Sequence, residues 1–200
     1  MNRIEFWAMN NPLRAAVQKR YEAPRLKALS RSKPESILEI GCGQGVGAKI
    51  LYGMFDPQRY VGIDLDPGMI KRARLKGMGL ANAEFMQGDA SELPFDDSSF
   101  DLVVDFGIIH HIPNWRDALS EVHRTLTPAG EFLFEELSVE TWQRGIGKPL
   151  KPILEHPYDE MFSKQEFVDE LRKLGFETEI RDGSPLGLYY FRGCATKAGR

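Results

Sequence analysis

The chain has little cysteine. Cys42 and Cys194 stand far apart among 200 residues, and Cys42 lies inside a glycine-rich stretch. That usage fits reduced thiols and excludes a disulfide scaffold. No Cys/His cluster has the spacing of zinc ligands, so no structural metal is expected. No apolar run approaches the ~18 residues of a membrane helix, and the opening Met-Asn-Arg-Ile-Glu-Phe-Trp carries an acid and lacks a signal-peptide core. A cytosolic location is the expectation. Positive charge is not in excess either: 26 Lys and Arg against 29 Asp and Glu leave a net charge of -3. That is no footprint for a nucleic-acid partner, and the basic densities at Arg14 to Lys33 and Lys71 to Lys76 read as solvated helix faces. Internal repeats and low-complexity segments are absent.

What is present is an ordinary globular composition, 42% hydrophobic and 28% charged, long enough for one full domain. Strand patterns at Ser36–Ile40, Tyr60–Asp64, Glu84–Gln87, Phe100–Asp105 and Gly130–Leu137 alternate with helical ones at Val46–Met54, Pro67–Lys76 and Trp115–Leu126. Alternation of this kind predicts a parallel sheet with helices on both faces. Asp66-Pro67 starts one helix with a cap and a proline that needs no partner, and Asn114 is placed to cap another. Ser163-Lys-Gln-Glu166 has capping-box spacing, with Gly175 closing that helix. Two last strands, Phe176–Arg181 and Leu188–Thr196, are joined around Asp182-Gly-Ser-Pro185, too short a link for a parallel pair. The fold class is therefore α/β, a Rossmann-like three-layer sandwich with a mostly parallel seven-stranded sheet and an antiparallel C-terminal strand. Residues 1–33 are expected to form an N-terminal helical cap, starting at Asn11-Pro12 and broken at Pro24. Residues 34–200 form the main domain, with 138–162 as a lid insertion.

The stretch Ile37-Leu-Glu-Ile-Gly-Cys-Gly-Gln-Gly-Val-Gly-Ala48 reads as a buried strand ending in an acid, then a glycine turn that opens a helix. Gly41, Gly43 and Gly45 suit a tight turn whose backbone a ligand can approach closely. Four further segments follow in order: Val61-Gly-Ile-Asp64, Gln87-Gly-Asp89-Ala90, Phe100-Asp-Leu-Val-Val104 and Leu126-Thr-Pro-Ala-Gly130-Glu-Phe.

Together, from about Pro34 to Ala195, these segments resemble the class I S-adenosylmethionine-dependent methyltransferases, in particular the small single-domain type related to quinone- and lipid-methylating enzymes. The family more often shows Lys-Pro-Gly-Gly in the last segment, so Thr127 and Ala129 depart on a connecting turn. The resemblance implies S-adenosyl-L-methionine as cofactor. By it, the loop of Gly41, Cys42, Gly43 and Gly45 lies against the methionine part, and Glu39 helps hold the ammonium. Asp64 takes the ribose hydroxyls, with Leu65 beside it, while Asp89 reads the adenine amine between Gly88 and Ala90, and Phe106 joins the site after the fourth strand. From the residues alone, Asp89 also fits a turn-forming acid, and Asp66 a helix cap.

Gly43-Gln-Gly45-Val-Gly-Ala48 with Asp64 about 20 residues on also fits a nicotinamide dinucleotide fingerprint. The acid before the first glycine, the Gly-Asp-Ala after the third strand and the antiparallel ending favour the sulfonium cofactor. A cofactor-binding scaffold without catalysis is a further alternative.

His110 and His111 follow the fourth strand, and His110 is the candidate catalytic base, with a structural role as its alternative. One of Glu135 and Glu136 is expected to face the pocket. Trp142, His156, Tyr158 and Phe162 are lid candidates, and Phe6, Trp7 and Met9 could close the same pocket. The acceptor is expected to be a small, partly apolar molecule, and the N-terminal helices offer a homodimer contact.

Overall fold

A computed structural model describes residues 11–151, 158, 160–183 and 188–199. Phe6, Trp7, Met9 and His156 lie outside these residues, as do Ser184 and Pro185 of the turn expected at Asp182 to Pro185. Seven strands form one sheet: β1 (Ser36–Ile40), β2 (Arg59–Asp64), β3 (Ala83–Gln87), β4 (Phe100–Asp105), β5 (Leu126–Glu136), β6 (Phe176–Gly183) and β7 (Tyr190–Lys197). Their order is β3-β2-β1-β4-β5-β7-β6. All neighbours from β3 to β5 pair parallel, and β7 runs antiparallel to both β5 and β6.

The helices are α1 (Pro12–Val17), α2 (Ala23–Lys27), α3 (Val46–Phe55), α4 (Pro67–Lys76), α5 (Trp115–Thr125), α6 (Gly147–Leu150) and α7 (Lys164–Lys173). Asn11 caps α1 through Arg14 N–H. Between α1 and α2 the helix does not stop. It widens into a π-turn, Gln18–Glu22, because Pro24 has no N–H to donate and its ring would collide with the carbonyl four residues back. Asp66 caps α4 through Gly68 N–H at 2.7 Å, and Ser163 with Glu166 forms the capping box of α7. Gly175 then leaves that helix at φ +96°. Asn114 does not cap α5. Its amide donates to Asp117 at 3.2 Å instead.

β1 is central, and Ile37 to Ile40 are buried on both faces, as a covered parallel strand requires. The core accordingly divides in two. One side packs Leu29 and α3 and α4 residues such as Leu51, Phe55, Ile70 and Ala73 on the sheet. The other packs α5 and α7 around Trp115, Phe134, Phe167 and Phe191. Phe162, from the expected lid, is 1% exposed and belongs to that second core, edge-on to Trp115 at 5.0 Å. Trp142 is buried too and meets Tyr158 edge-on. Among the described residues no helix is long and apolar enough to cross a membrane.

β5 begins irregularly: its pairing to β4 slips between Phe100 and Leu102, and Ala129 sits there at φ +63°. A left-handed alanine carries about 1–2 kcal/mol of strain, whereas glycine there costs about 0.5–1 kcal/mol of chain entropy. Ala129→Gly is therefore expected to raise stability by about 0.5–1 kcal/mol and Ala129→Val to lower it. Guanidinium unfolding midpoints of the three proteins check this; an unchanged or lower midpoint for the glycine variant would remove the strain argument.

Candidate functional site

The sheet order reverses between β1 and β4, and a cleft of about 430 Å³ opens there at the carboxyl ends of the strands. The chain leaves β1 through Gly41, Gly43 and Gly45, at φ +64°, +51° and +80°. This left-handed zigzag is closed to side-chain-bearing residues without strain. It turns the loop back so that Cys42 N–H reaches Ile63 O at 2.8 Å and Gly43 N–H reaches Asp64 Oδ2 at 2.8 Å. Asp66 N–H holds the other oxygen, Oδ1, at 2.9 Å. Asp64 is thus fixed from both sides, and each carboxylate oxygen keeps a further lone pair to offer. Burial raises its pKa, and the two backbone N–H groups oppose that shift.

Glu39 lies one strand over, 2% exposed, with its carboxyl accepting from the Tyr60 hydroxyl. Gly62 pairs with Glu39 across the ladder, and a Cβ on it would stand 2.9 Å from that hydroxyl. The absent side chain is what lets the phenol lie along β2. Gly47 is required for the same acid: a Cβ there would overlap the Glu39 carboxyl. Burial pushes Glu39 up to about 8, and among the described residues no cation answers it. Cys42 is buried beside Glu39 and Asp64. Burial and those two charges raise its thiol far above the ordinary range, so it is no nucleophile.

At β4 and β5, Asp105 accepts from Gly107 and Ile108 N–H. Glu136 accepts from Ile109 N–H at 2.6 Å and meets His110 Nδ1 at 2.5 Å. Burial favours the neutral form of both partners, raising Glu136 to about 7 and lowering His110 to about 3. The pair ties the turn after β4 to the end of β5. His110 is 4% exposed and does not line the cleft; His111 does. Glu135 points elsewhere, toward the charges of Glu22, Arg14 and Arg192, and burial raises it to about 8.

Of the residues expected from sequence, the cleft is lined by Glu39, Gly41, Cys42, Gly43, Asp64 and Phe106. Gly45 is buried below it, where a Cβ would come within 2.9 Å of Ala73. Leu65 stands beside Asp64 and is 68% exposed. Gly88 N–H bonds to Asp64 O at 3.2 Å, which brings the end of β3 to the same edge, while Asp89 folds its carboxylate onto Ser91 and Ala90 is buried. Arg14, Gln18, Met69 and His111 also line the cleft. His111 follows the fourth strand, where the sequence points to it, but no motif announces Arg14, Gln18 and Met69, because they arrive on helices whose sequences look like ordinary amphipathic surface.

Residues 38–134 match the family model of a methyltransferase domain. A fatty-acid O-methyltransferase of Mycolicibacterium smegmatis is 39% identical over 114 residues, 55% of this chain and 41% of that protein. A phthiotriol/phenolphthiotriol dimycocerosates methyltransferase of Mycobacterium tuberculosis is 36% identical over 124 residues, 60% of this chain and 46% of that protein. The chain spans less than half the length of these two relatives. Among solved structures, an S-adenosylmethionine-dependent methyltransferase from Aquifex aeolicus shares the fold, with a TM-score of 0.74 at 20% identity and 98% of each chain covered. The matched segment contains the glycine loop, Glu39, Asp64 and the turn after β4, and it is an S-adenosylmethionine-dependent methyltransferase domain.

Proposed function

We propose that the chain transfers a methyl group from S-adenosylmethionine to a small, partly apolar acceptor. The observation that carries this reading is the pairing of Glu39 and Asp64, ending β1 and β2, on either side of one left-handed glycine loop in one cleft. The donor set fits the cofactor. Glu39, a buried acid with no cation among the described residues, suits an ammonium group. Asp64 has lone pairs left for two hydroxyls, and Gly43 has open space where a side chain would stand. Leu65, Gly88, Asp89 and Ala90 would complete the adenine end. The cofactor supplies a methyl group already activated by positive sulfur, so the protein's tasks are alignment and exclusion of water, and alignment alone is worth up to about 7–11 kcal/mol in model systems. Phe106, Met69 and Ile108 form the apolar wall that keeps water out. His111 is the imidazole placed to take a proton from the acceptor, and His110 positions the turn that carries it.

Calorimetric titration tests the cofactor. Binding of S-adenosylmethionine and its demethylated product is expected, with none of NAD. Asp64→Ala should weaken it about 10- to 150-fold, the equivalent of one charge-assisted hydrogen bond of about 1.5–3 kcal/mol. Heat from NAD instead would overturn the reading. His111→Gln should lower turnover about 100-fold or more on an acceptor that must lose a proton, with cofactor affinity unchanged; unchanged turnover would remove His111 from the chemistry.

Glu39 makes a sharper prediction. With its pKa at about 8 it is mostly protonated at pH 7, and an ammonium placed against it will return it to the carboxylate. Cofactor binding at pH 7 should release close to one proton, read from the slope of binding heat against buffer ionisation enthalpy, and Glu39→Gln should abolish that release. The same shift has a sign for stability. A carboxyl whose folded pKa lies above its unfolded value binds an extra proton in the folded state, so Glu39 costs stability as pH rises from about 4.5 to 8. The ligand-free protein should lose stability over that window, less so as Glu39→Gln. A flat proton count would show the acid stays neutral.

A further inference from the structure

The chain's two stretches of basic density meet on one face of the molecule. α1 with its π-turn, α3 and α4 border an apolar hollow of about 280 Å³, with Ala15, Ala16, Val46 and Ile50 inside it and Lys19, Lys49 and Lys76 at its rim. Lys19, Arg20, Lys49, Lys71, Arg72 and Lys76 are all exposed. Residues 12–22, 46–55 and 67–76 contain a single acid, Glu22, which is buried and paired with Arg14 at 2.6 Å. Lys76 is held below the ordinary lysine range, by partial burial first and then by the charges of Lys49 and Arg72. A protein of net charge -3 has gathered cations here.

Exposed hydrocarbon is carried by the same segments. Six large apolar side chains are exposed among the described residues, and four of them are Leu13 and Val17 on α1, Leu75 on α4 and Met78 two residues past its end. Leu13 is 75% and Met78 73% exposed. From this juxtaposition we infer that the α1–α3–α4 face docks on an anionic lipid surface, its cations on the head groups and its four apolar side chains in the interfacial layer.

Charge and hydrocarbon together select this occupant. A polyanion such as RNA would satisfy the lysines, yet it would leave Leu13, Val17, Leu75 and Met78 against a hydrated backbone. A second copy meeting the same face across a twofold axis would bring two basic patches together. A bilayer containing anionic lipids offers both halves of the match, negative head groups above hydrocarbon. The docking does not depend on which acceptor is methylated, though it would suit an apolar one: Val46 lines both this hollow and the cofactor cleft, so the docked face adjoins the catalytic mouth.

Co-sedimentation of the full chain with vesicles tests the inference without cofactor or acceptor. Binding to vesicles of mixed phosphatidylglycerol and phosphatidylcholine is expected, with little to pure phosphatidylcholine and a steep fall as salt rises. Each lysine removed should weaken it about fivefold, so Lys49→Gln with Lys76→Gln should weaken it about 25-fold while S-adenosylmethionine binding stays as in the parent. Leu13→Ser with Leu75→Ser should weaken it at constant charge. Failure to bind anionic vesicles at low salt would overturn the inference. So would binding that ignores the lysine substitutions, RNA binding without vesicle binding, or a dimer in solution that dissociates in the Leu13→Ser, Leu75→Ser protein. Because cofactor titration is separate, failure here leaves the methyltransferase reading standing, and the reverse holds too.

Discussion

A carboxyl group is buried in the middle of a parallel sheet, and much of the sequence around the cofactor cleft exists to accommodate it. Taking an ionised Glu39 out of water unpaired would cost several kcal/mol. The fold meets that cost in two ways: it lets the group take a proton, with a pKa of about 8, and it supplies the Tyr60 hydroxyl as a partner. Both solutions need space. Gly62 clears the path of the phenol along β2, and Gly47 clears the first turn of α3 above the carboxyl. Positions 39, 47, 60 and 62 therefore express one constraint. A side chain at either glycine would press on the acid or on its partner, and the change would be transmitted to the loop that lines the cleft.

The other acids at this sheet edge are handled differently, and the difference assigns their work. Asp64 is anchored by Gly43 and Asp66 N–H groups and left with unshared lone pairs in the cleft. Asp105 spends one oxygen, Oδ1, on the backbone of the turn after β4, and Glu136 spends both of its oxygens on that turn and on His110, so they build rather than bind. That use brings His111 to the cleft wall and takes His110 away from it. Glu135 sits near the charges of the N-terminal helix, close to the Arg14–Glu22 pair whose arginine reaches the cleft. Four strands carry an acid at or next to their last residue, but two of those acids, Glu39 and Asp64, line the cleft.

The legible parts of the sequence were those whose physics is local. Strand and helix periods, the caps at Asp66 and Ser163, and the glycine loop are set by neighbours within a few residues, and the structure has them within a residue or two except where β5 and β6 run longer. Asn114 does not cap its helix because Asp117, three residues on, takes its amide. The insertion was harder. Aromatic residues at Trp142 and Phe162 suggested a lid, but nothing local distinguishes an aromatic that closes a pocket from one that fills a core, and Phe162 fills the core. His110 and His111 are adjacent and chemically identical, and only the position of Glu136, 26 residues away, decides which one faces the cleft.

The charge balance was legible in total and misleading in distribution. Helices that join β1 to β2 and β2 to β3 lie on the same side of the sheet, whereas α5 and α7 lie on the other. The second pair balances five acids, Asp117, Glu121, Glu166, Asp169 and Glu170, with five cations, whereas α3 and α4 carry five cations and no acid. A sum over the chain of -3 hides the contrast. Lys71, Arg72, Arg74, Leu75 and Lys76 are each exposed, as a solvated helix face has them. The π-turn after α1, about 50 residues earlier, lays Lys19 on the rim of the same hollow as Lys76. Connectivity makes that meeting: right-handed crossovers from β1 outward stack α3 and α4 in order, and α1 packs at the start of α3 where the glycine loop ends. The loop that orders the cofactor cleft thus also sets where the basic face lies relative to it.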